Sequence, residues 1–367
     1  MNPLKTIEKK FKKILSGALR FFLEQPPKIT GQPINKVLII RYGGIGDMIL
    51  SIPVFKQIKA EHPNAEIDVL CNKKNVSPVE AAGLIDNIFF YEKIFFKTIL
   101  LIRNLRRRKY DYIINLVVYP TFTFSLIARL AGKHSVRIAA DQEEFSFYYN
   151  RILDLPPKRE IHMLDRLFLL SGDLIKNKDK RIKTPWIEYR QDIKMEANKI
   201  YELICSELIL NKAETKIAAV NLSAGLKRRE WSIENYKYFL EEVIPKYSNK
   251  INGWAVFTDP KKPEESEIVV NSLNQKSVIR IPVVDDFKII IELIRKFYLI
   301  VTPDTSILHA ASAMGTPTLA LIIGENYKTW SPVGNINEVI VSEDPLSLNE
   351  LPVAEVVNGF DNLMKKL

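Results

Sequence analysis

Three stretches of this chain carry residue types and spacings that could do chemistry. The first is Gly43-Gly44-Ile-Gly46-Asp47, directly behind the apolar run Val37–Ile40. The glycines let the backbone turn sharply and leave room for a ligand. Asp47 stands at the expected N-cap of a following helix. A carboxylate there can cap the helix, contact a ligand or act as a general base. As a dinucleotide-binding fingerprint the stretch is incomplete, because Gly44-x-Gly46-x-x is followed by Ile49. The second stretch is Ser223-Ala224-Gly225-Leu-Lys227-Arg-Arg229-Glu-Trp231. Small residues let backbone amides approach a phosphate, and cations neutralise it; three adjacent cations also fit a solvated loop. The third is Thr302-Pro-Asp304-Thr305-Ser306-x-x-His309. Asp304 or Thr305 caps a helix whose free amides can bind a pyrophosphate, and His309, one turn in, can reach the same anion. The same spacing fits a plain cap beside a half-buried histidine.

The elements that must position these residues alternate. Apolar runs predict strands at Val37–Ile40, Glu66–Cys71, Asn87–Tyr91, Tyr112–Leu116 and Arg137–Ala140, with helices between them, the first over Asp47–Glu61. A second alternation predicts strands at Ile217–Leu222, Gly253–Phe257, Val278–Ile281, Tyr298–Val301 and Thr318–Ile322. Strands separated by helices pair in parallel through right-handed crossovers. Ligands of such sheets bind outside the carboxyl ends of the strands, where all three stretches fall. The expected architecture is therefore α/β: two Rossmann-like, doubly wound domains facing a central cleft. The expected boundaries are a basic amphipathic helix in residues 1–30, a first domain in 31–184, a second in 185–345, and a C-terminal helix in 346–367.

Composition narrows the function classes. The chain has 367 residues, 47% hydrophobic and 26% charged, enough to build two cores. Its two cysteines, Cys71 and Cys205, exclude a disulfide scaffold and a cysteine-rich zinc site and fit a reducing cytoplasm. The four histidines show no metal-ligand spacing, so neither a metal nor a cofactor is expected. A formal charge of +10 attracts anions, and it also fits a simply lysine-rich composition. Nucleic acid is not an expected partner, since no recognition motif is visible. In the leading segment Leu4, Ile7, Phe11 and Ile14 recur at helical spacing opposite Lys5, Lys9, Lys10, Lys12 and Lys13. Such a helix can lie on an anionic membrane or pack on a domain surface. A dinucleotide oxidoreductase would need an acid after the second strand, where Cys71-Asn72 stands instead.

Taken in order, the stretches resemble glycosyltransferase family 9, the bacterial lipopolysaccharide heptosyltransferases and their relatives. The resemblance lies in Gly46-Asp47 with Ser51-Ile-Pro53, in Arg229-Glu-Trp231, and in Asp304-Thr305-Ser306-Ile-Leu-His309 running on to Gly315-Thr-Pro317. It implies the GT-B fold, with a C-terminal helix packing back towards the first domain. It also implies inverting, metal-independent transfer of a heptose-like sugar, ADP-linked by expectation, to a lipid-linked anionic glycan such as lipopolysaccharide core. By position, Asp47 would be the base, with Gly43, Gly44, Gly46 and Asn115 on the acceptor side. Ser223, Ala224, Gly225, Lys227, Arg229, Asp304, Thr305, Ser306 and His309 would contact the donor. The location implied is cytoplasmic, peripheral on the inner membrane face. The alternatives are a related transferase using another nucleotide sugar on a capsule or glycoprotein acceptor, or a non-catalytic nucleotide-sugar-binding protein.

Overall fold

The computed structural model describes residue 17 and residues 33–80, 83–141, 144–157, 160–177, 181–209, 215–344 and 347–367. The expected helix of residues 1–30 lies outside the described residues, Gly17 apart. The chain divides into two compact units. One ends at Pro157 and takes in Met163–Ile182; the other runs from Lys183 to Leu367 and takes in His162.

The first unit is built on six parallel strands: β1 (Lys36–Ile40), β2 (Glu66–Cys71), β3 (Asn87–Phe90), β4 (Tyr112–Asn115), β5 (Val136–Ala140) and β6 (Arg151–Leu153). Their order in the sheet is β3-β2-β1-β4-β5-β6. Val37–Ile40 have no exposed surface, as a central parallel strand covered on both faces requires. Register places Ile40 beside Leu70 on one side and Asn115 on the other, so these strands end at one level. The helix expected over Asp47–Glu61 is two helices, Ile45–Ile49 and Ile52–Glu61. Pro53 explains the break: it offers no N–H, and its ring clashes with the carbonyl four residues back, at Ile49. Strand β6 was not expected. It is a three-residue edge strand, half exposed, without the apolar run that marks an inner strand.

The second unit repeats the plan with β7 (Ile217–Asn221), β8 (Gly253–Phe257), β9 (Val278–Arg280), β10 (Leu299–Pro303), β11 (Thr318–Ile323) and β12 (Asn337–Ser342). All pairs are parallel and the order is β12-β11-β10-β7-β8-β9, the order of the first unit read on its own strands. Edge strand β12 was also unexpected: it is half exposed, and its apolar run Val339–Val341 is only three residues long. Alternate residues of β11 enter different cores. Leu319, Leu321 and Ile323 join the large cluster around Trp254, Phe239 and Phe360, while Ala320 and Ile322 meet Leu308 across the sheet. Both faces are therefore covered, as in a doubly wound domain. The C-terminal helix was expected to pack towards the first domain. Instead Val353–Lys366 buries Val356, Phe360 and Leu363 in the second unit's own core. Asp361 accepts hydrogen bonds from Lys246 Nζ (2.6 Å) and Tyr247 Oη (2.7 Å) on the neighbouring helix Ile233–Lys246.

In each sheet the strand order reverses between two central strands, β1 and β4 in one, β7 and β10 in the other. Crevices of doubly wound sheets open at these points, beyond the carboxyl ends of the strands. The three chemical stretches follow β1, β7 and β10.

Candidate functional site

In the first unit the turn after β1 is organised around Arg41, which is 3% exposed. Its guanidinium donates to Leu116 O (2.7 Å), to Asp47 O (3.0 Å) and to Asp47 Oδ1 (3.1 Å). Burial pushes Arg41 below its ordinary pKa, and the Asp47 carboxylate opposes that shift. Asp47 is not the N-cap that the sequence predicted. Gly44 is the N-cap, and Asp47, three residues on, reaches back to accept the Gly44 N–H at 2.8 Å. This is the acidic half of a capping box, supplied from the third position. The Asp47 side chain remains 29% exposed, with each carboxylate oxygen held on one side. Gly43 is a steric requirement, since a Cβ there would stand 2.6 Å from Asp47 Oδ2.

Two asparagines brace this turn from the loop after β2. Asn72 donates to Gly43 O (2.9 Å), and the fully buried Asn75 donates to Arg41 O (3.0 Å). Asn115, expected on the acceptor side, is fully buried at the end of β4. Its amide donates to Tyr149 Oη (2.8 Å), its carbonyl accepts from Val117 N–H (3.1 Å), and Tyr149 donates onward to Ser125 Oγ. Burial pushes the Tyr149 phenol up to about 12. Asn115 thus braces the strand end and presents no face to an acceptor.

In the second unit Asn221, the last residue of β7, ties two of the stretches together. Its amide donates to Thr302 Oγ1 (2.9 Å), and its carbonyl accepts from Ser223 N–H (3.0 Å) and Ser223 Oγ (2.7 Å). Thr305 caps the helix Ser306–Met314 by accepting from Ile307 N–H at 3.2 Å. Asp304 is 2% exposed and its carboxylate accepts from Asn326 Nδ2 (3.1 Å). Arg229 donates to Asp304 O (3.0 Å), with the Asp304 carboxylate 3.4 Å away. The second and third stretches therefore meet, joined by Arg229 and Asn221.

The cations of the second stretch divide their work. Arg228 pairs with Glu325, Arg229 turns to Asp304, and Lys227 is exposed. Trp231 is buried, donates to Leu351 O (2.9 Å) and meets Tyr236 edge-on, which anchors the loop. Ala224 is half-buried, and a Cβ at Gly225 would meet nothing within 4 Å. A cavity of about 650 Å³ adjoins this loop, bordered by Leu222, Lys227, Trp231, Glu265 and Asn349 among others. His309 is 3% exposed, with its ring 5.9 Å from that of Trp330. Around this helix end two buried nitrogens, Arg229 Nε and Trp330 Nε1, have no hydrogen-bond partner among the described residues. Among the same residues, no group of three His, Cys, Asp or Glu side chains could hold a metal ion.

Arg41, Asn72, Asn75, Asn221, Asn326 and Trp330 were not singled out from sequence. Arg41, Asn72 and Asn221 did carry a signal, a polar side chain ending an apolar strand at its carboxyl end. Asn326 and Trp330 end two one-turn helices after β11, Gly324–Asn326 and Tyr327–Trp330, and carried none.

Two parallel-sheet Rossmann-like domains with polar residues at their switch points are the architecture of the GT-B fold. The fold is shared with a glycosyl transferase family 9 structure from Veillonella parvula (TM-score 0.75, 16% identity, covering 94% of this chain and 100% of that one). It is also shared with E. coli ADP-heptose lps heptosyltransferase II (TM-score 0.71, 19% identity, covering 90% and 99%). A curated relative, the lipopolysaccharide core heptosyltransferase OpsX of Haemophilus influenzae, is 23% identical over 93% of this chain and 95% of its own length. The family model for glycosyltransferase family 9 (heptosyltransferase) matches residues 99–350. The chain belongs to that family and is a glycosyltransferase. The matched span contains the second and third stretches; Gly43–Asp47 lies before it.

Proposed function

We propose that this chain transfers a heptose from an ADP-linked donor to a lipid-linked, anionic glycan acceptor of the lipopolysaccharide-core kind, with inversion and without a metal, at the inner face of the cytoplasmic membrane. The observation that carries the reading is the Arg229–Asp304 contact at the start of helix Ser306–Met314, where buried N–H groups of Arg229 and Trp330 await acceptor atoms. Buried donors without partners are rare, and phosphate oxygens satisfy them well. The names of the family, of the curated relative and of the E. coli structure favour heptose and ADP.

Asp47 takes the proton from the acceptor hydroxyl as that oxygen bonds to the anomeric carbon. The bond from that carbon to the diphosphate oxygen breaks, and the nucleoside diphosphate leaves with the electron pair. Arg229 and the amides opening the Ser306–Met314 helix stabilise the charge that builds on it, the role a metal would otherwise fill. Ser223, Thr305, Ser306 and His309 border the same group, and the cavity beside Trp231 takes the nucleoside.

The test is transfer from ADP-heptose to a lipopolysaccharide-core acceptor by the wild-type chain and by Asp47→Asn. The variant loses the base, so kcat should fall by about 10²–10⁴-fold; it also gives up one of the two contacts to Arg41 and Gly44 N–H, so the melting temperature should fall while circular dichroism keeps the wild-type spectrum. Wild-type turnover in the variant would remove Asp47 as base. No transfer from ADP-heptose, with transfer from another nucleotide sugar, would overturn the donor.

A further inference from the structure

We propose that the helix Phe95–Arg108 is a docking surface for an anionic lipid membrane. Its first half exposes large apolar side chains on one contiguous face: Phe95 73%, Phe96 80%, Ile99 50% and Leu100 56%. Leu101 and Leu105, on the other side, fill the core of the first unit. The outward face is thus a second apolar stripe, not the one that holds the helix to its domain. The second half exposes Arg103, Arg106 and Arg107. From Lys93 to Lys109 the sequence has seven Lys or Arg and no Asp or Glu. Arg108 is turned inward to Glu66 and Asp68, and Lys97 pairs with Glu92. Apolar residues that can enter the headgroup boundary, followed by cations on the same helix, match a surface-lying helix on anionic lipid. No helix among the described residues is long and apolar enough to cross a membrane.

Charge selects this occupant over two others. The leading segment of the chain carries Lys5, Lys9, Lys10, Lys12 and Lys13, and a second copy would bring the same arginines. Either would set cations against cations, whereas anionic headgroups complement them. The position in the fold gives the docking a use. The helix starts at the carboxyl end of β3, the same end of the parallel sheet as Gly43–Asp47. Tyr91, at that end, meets Tyr42 edge-on with ring centroids 5.7 Å apart, and Tyr42 adjoins Gly43. A bilayer held by Phe95 and Phe96 would lie on the Asp47 side of the sheet, where a lipid-linked acceptor must arrive. That use rests on the proposed function; the docking itself does not.

The full chain should sediment with vesicles containing phosphatidylglycerol about tenfold or more better than with pure phosphatidylcholine, and high salt should remove the difference. The exposed pair Phe95→Ser/Phe96→Ser, and separately Arg103→Gln/Arg107→Gln, should each weaken vesicle binding by about tenfold or more. Both variants should transfer sugar to a short water-soluble acceptor as the wild type does. Wild-type vesicle binding by the variants, or no binding by the wild type, would overturn the proposal. So would a dimer that the phenylalanine variant turns into a monomer, since a second copy would then cover the face. If the wild type failed on the soluble acceptor, the proposed function would suffer, and the vesicle result would still decide the docking.

Discussion

A methyl group on Gly43 would stand 2.6 Å from Asp47 Oδ2, and one on Gly44 would stand 3.5 Å from the same atom. The first distance forces movement; the second is an ordinary contact. Gly44 also has a φ of −78°, which any residue adopts. Gly43→Ala should therefore displace the carboxylate and lower kcat by about 10–100-fold, the scale of a misplacement near 1 Å. Gly44→Ala should leave kcat within about twofold, because its methyl makes only an ordinary contact with the carboxylate; the loss of a preferred cap residue falls on stability instead. Steady-state kinetics on the two variants checks this. Equal losses, or none in Gly43→Ala, would mean that the Gly43–Asp47 contact does not govern the reaction. Arg41 is the other half of the device, since its bonds to Asp47 and Leu116 fix where the turn can go.

At the scale of elements, the C-terminal helix joins the second unit through its apolar face and through two charged residues, Asp361 and Lys366, the latter paired with Glu338. Asp361 is partly desolvated, which opposes ionisation, yet hydrogen bonds from Lys246 and Tyr247 hold its pKa below the ordinary value of 3.8. A carboxyl group whose folded pKa is depressed contributes stability that is complete above its unfolded pKa and is lost as the pH falls through the folded one. Urea midpoints at pH 7 and near pH 3 should therefore lie closer together in Asp361→Asn than in the wild type, with the loss appearing at pH 7. An unchanged gap would show that Asp361 does not set this part of the acid sensitivity. The Ser306–Met314 helix is held differently, by the neutral Thr305 cap and by Asn221 across the sheet.

For the whole molecule, the two units close separate cores, one around Leu38, Ile113 and Tyr148, the other around Val220, Trp254 and Phe360. All four tryptophans, Trp186, Trp231, Trp254 and Trp330, belong to the second unit. Tryptophan fluorescence therefore reports the unfolding of that unit alone. Under the proposed function, ADP should raise the tryptophan-monitored transition, by about 2.7 kcal/mol at a hundredfold excess over Kd, and UDP or GDP at the same concentration should raise it less. An ADP effect visible by circular dichroism but absent from the tryptophan signal would move the nucleotide to the first unit.

The sequence by itself determined the alternation of strands and helices, because buried parallel strands are nearly unbroken apolar runs that local reading detects. It also determined that the three stretches lie at strand ends, since chain order and parallel pairing leave little else. Edge strands β6 and β12 stayed hidden because they offer only two and three consecutive apolar residues, too short a run for local reading to separate from a loop. Tertiary structure alone decided the rest. Asp47 reads locally as an N-cap and is the third helical residue, because Gly44 opens the helix. Asn115 reads as a site residue and is a brace, because Tyr149, 34 residues further on, takes its amide. The C-terminal helix covers its own domain, because the aromatic partners of Phe360, namely Phe239, Tyr247 and Trp254, come from elements more than a hundred residues earlier. Long-range pairing of polar groups leaves no mark in local pattern, so such roles emerge only when the chain is folded.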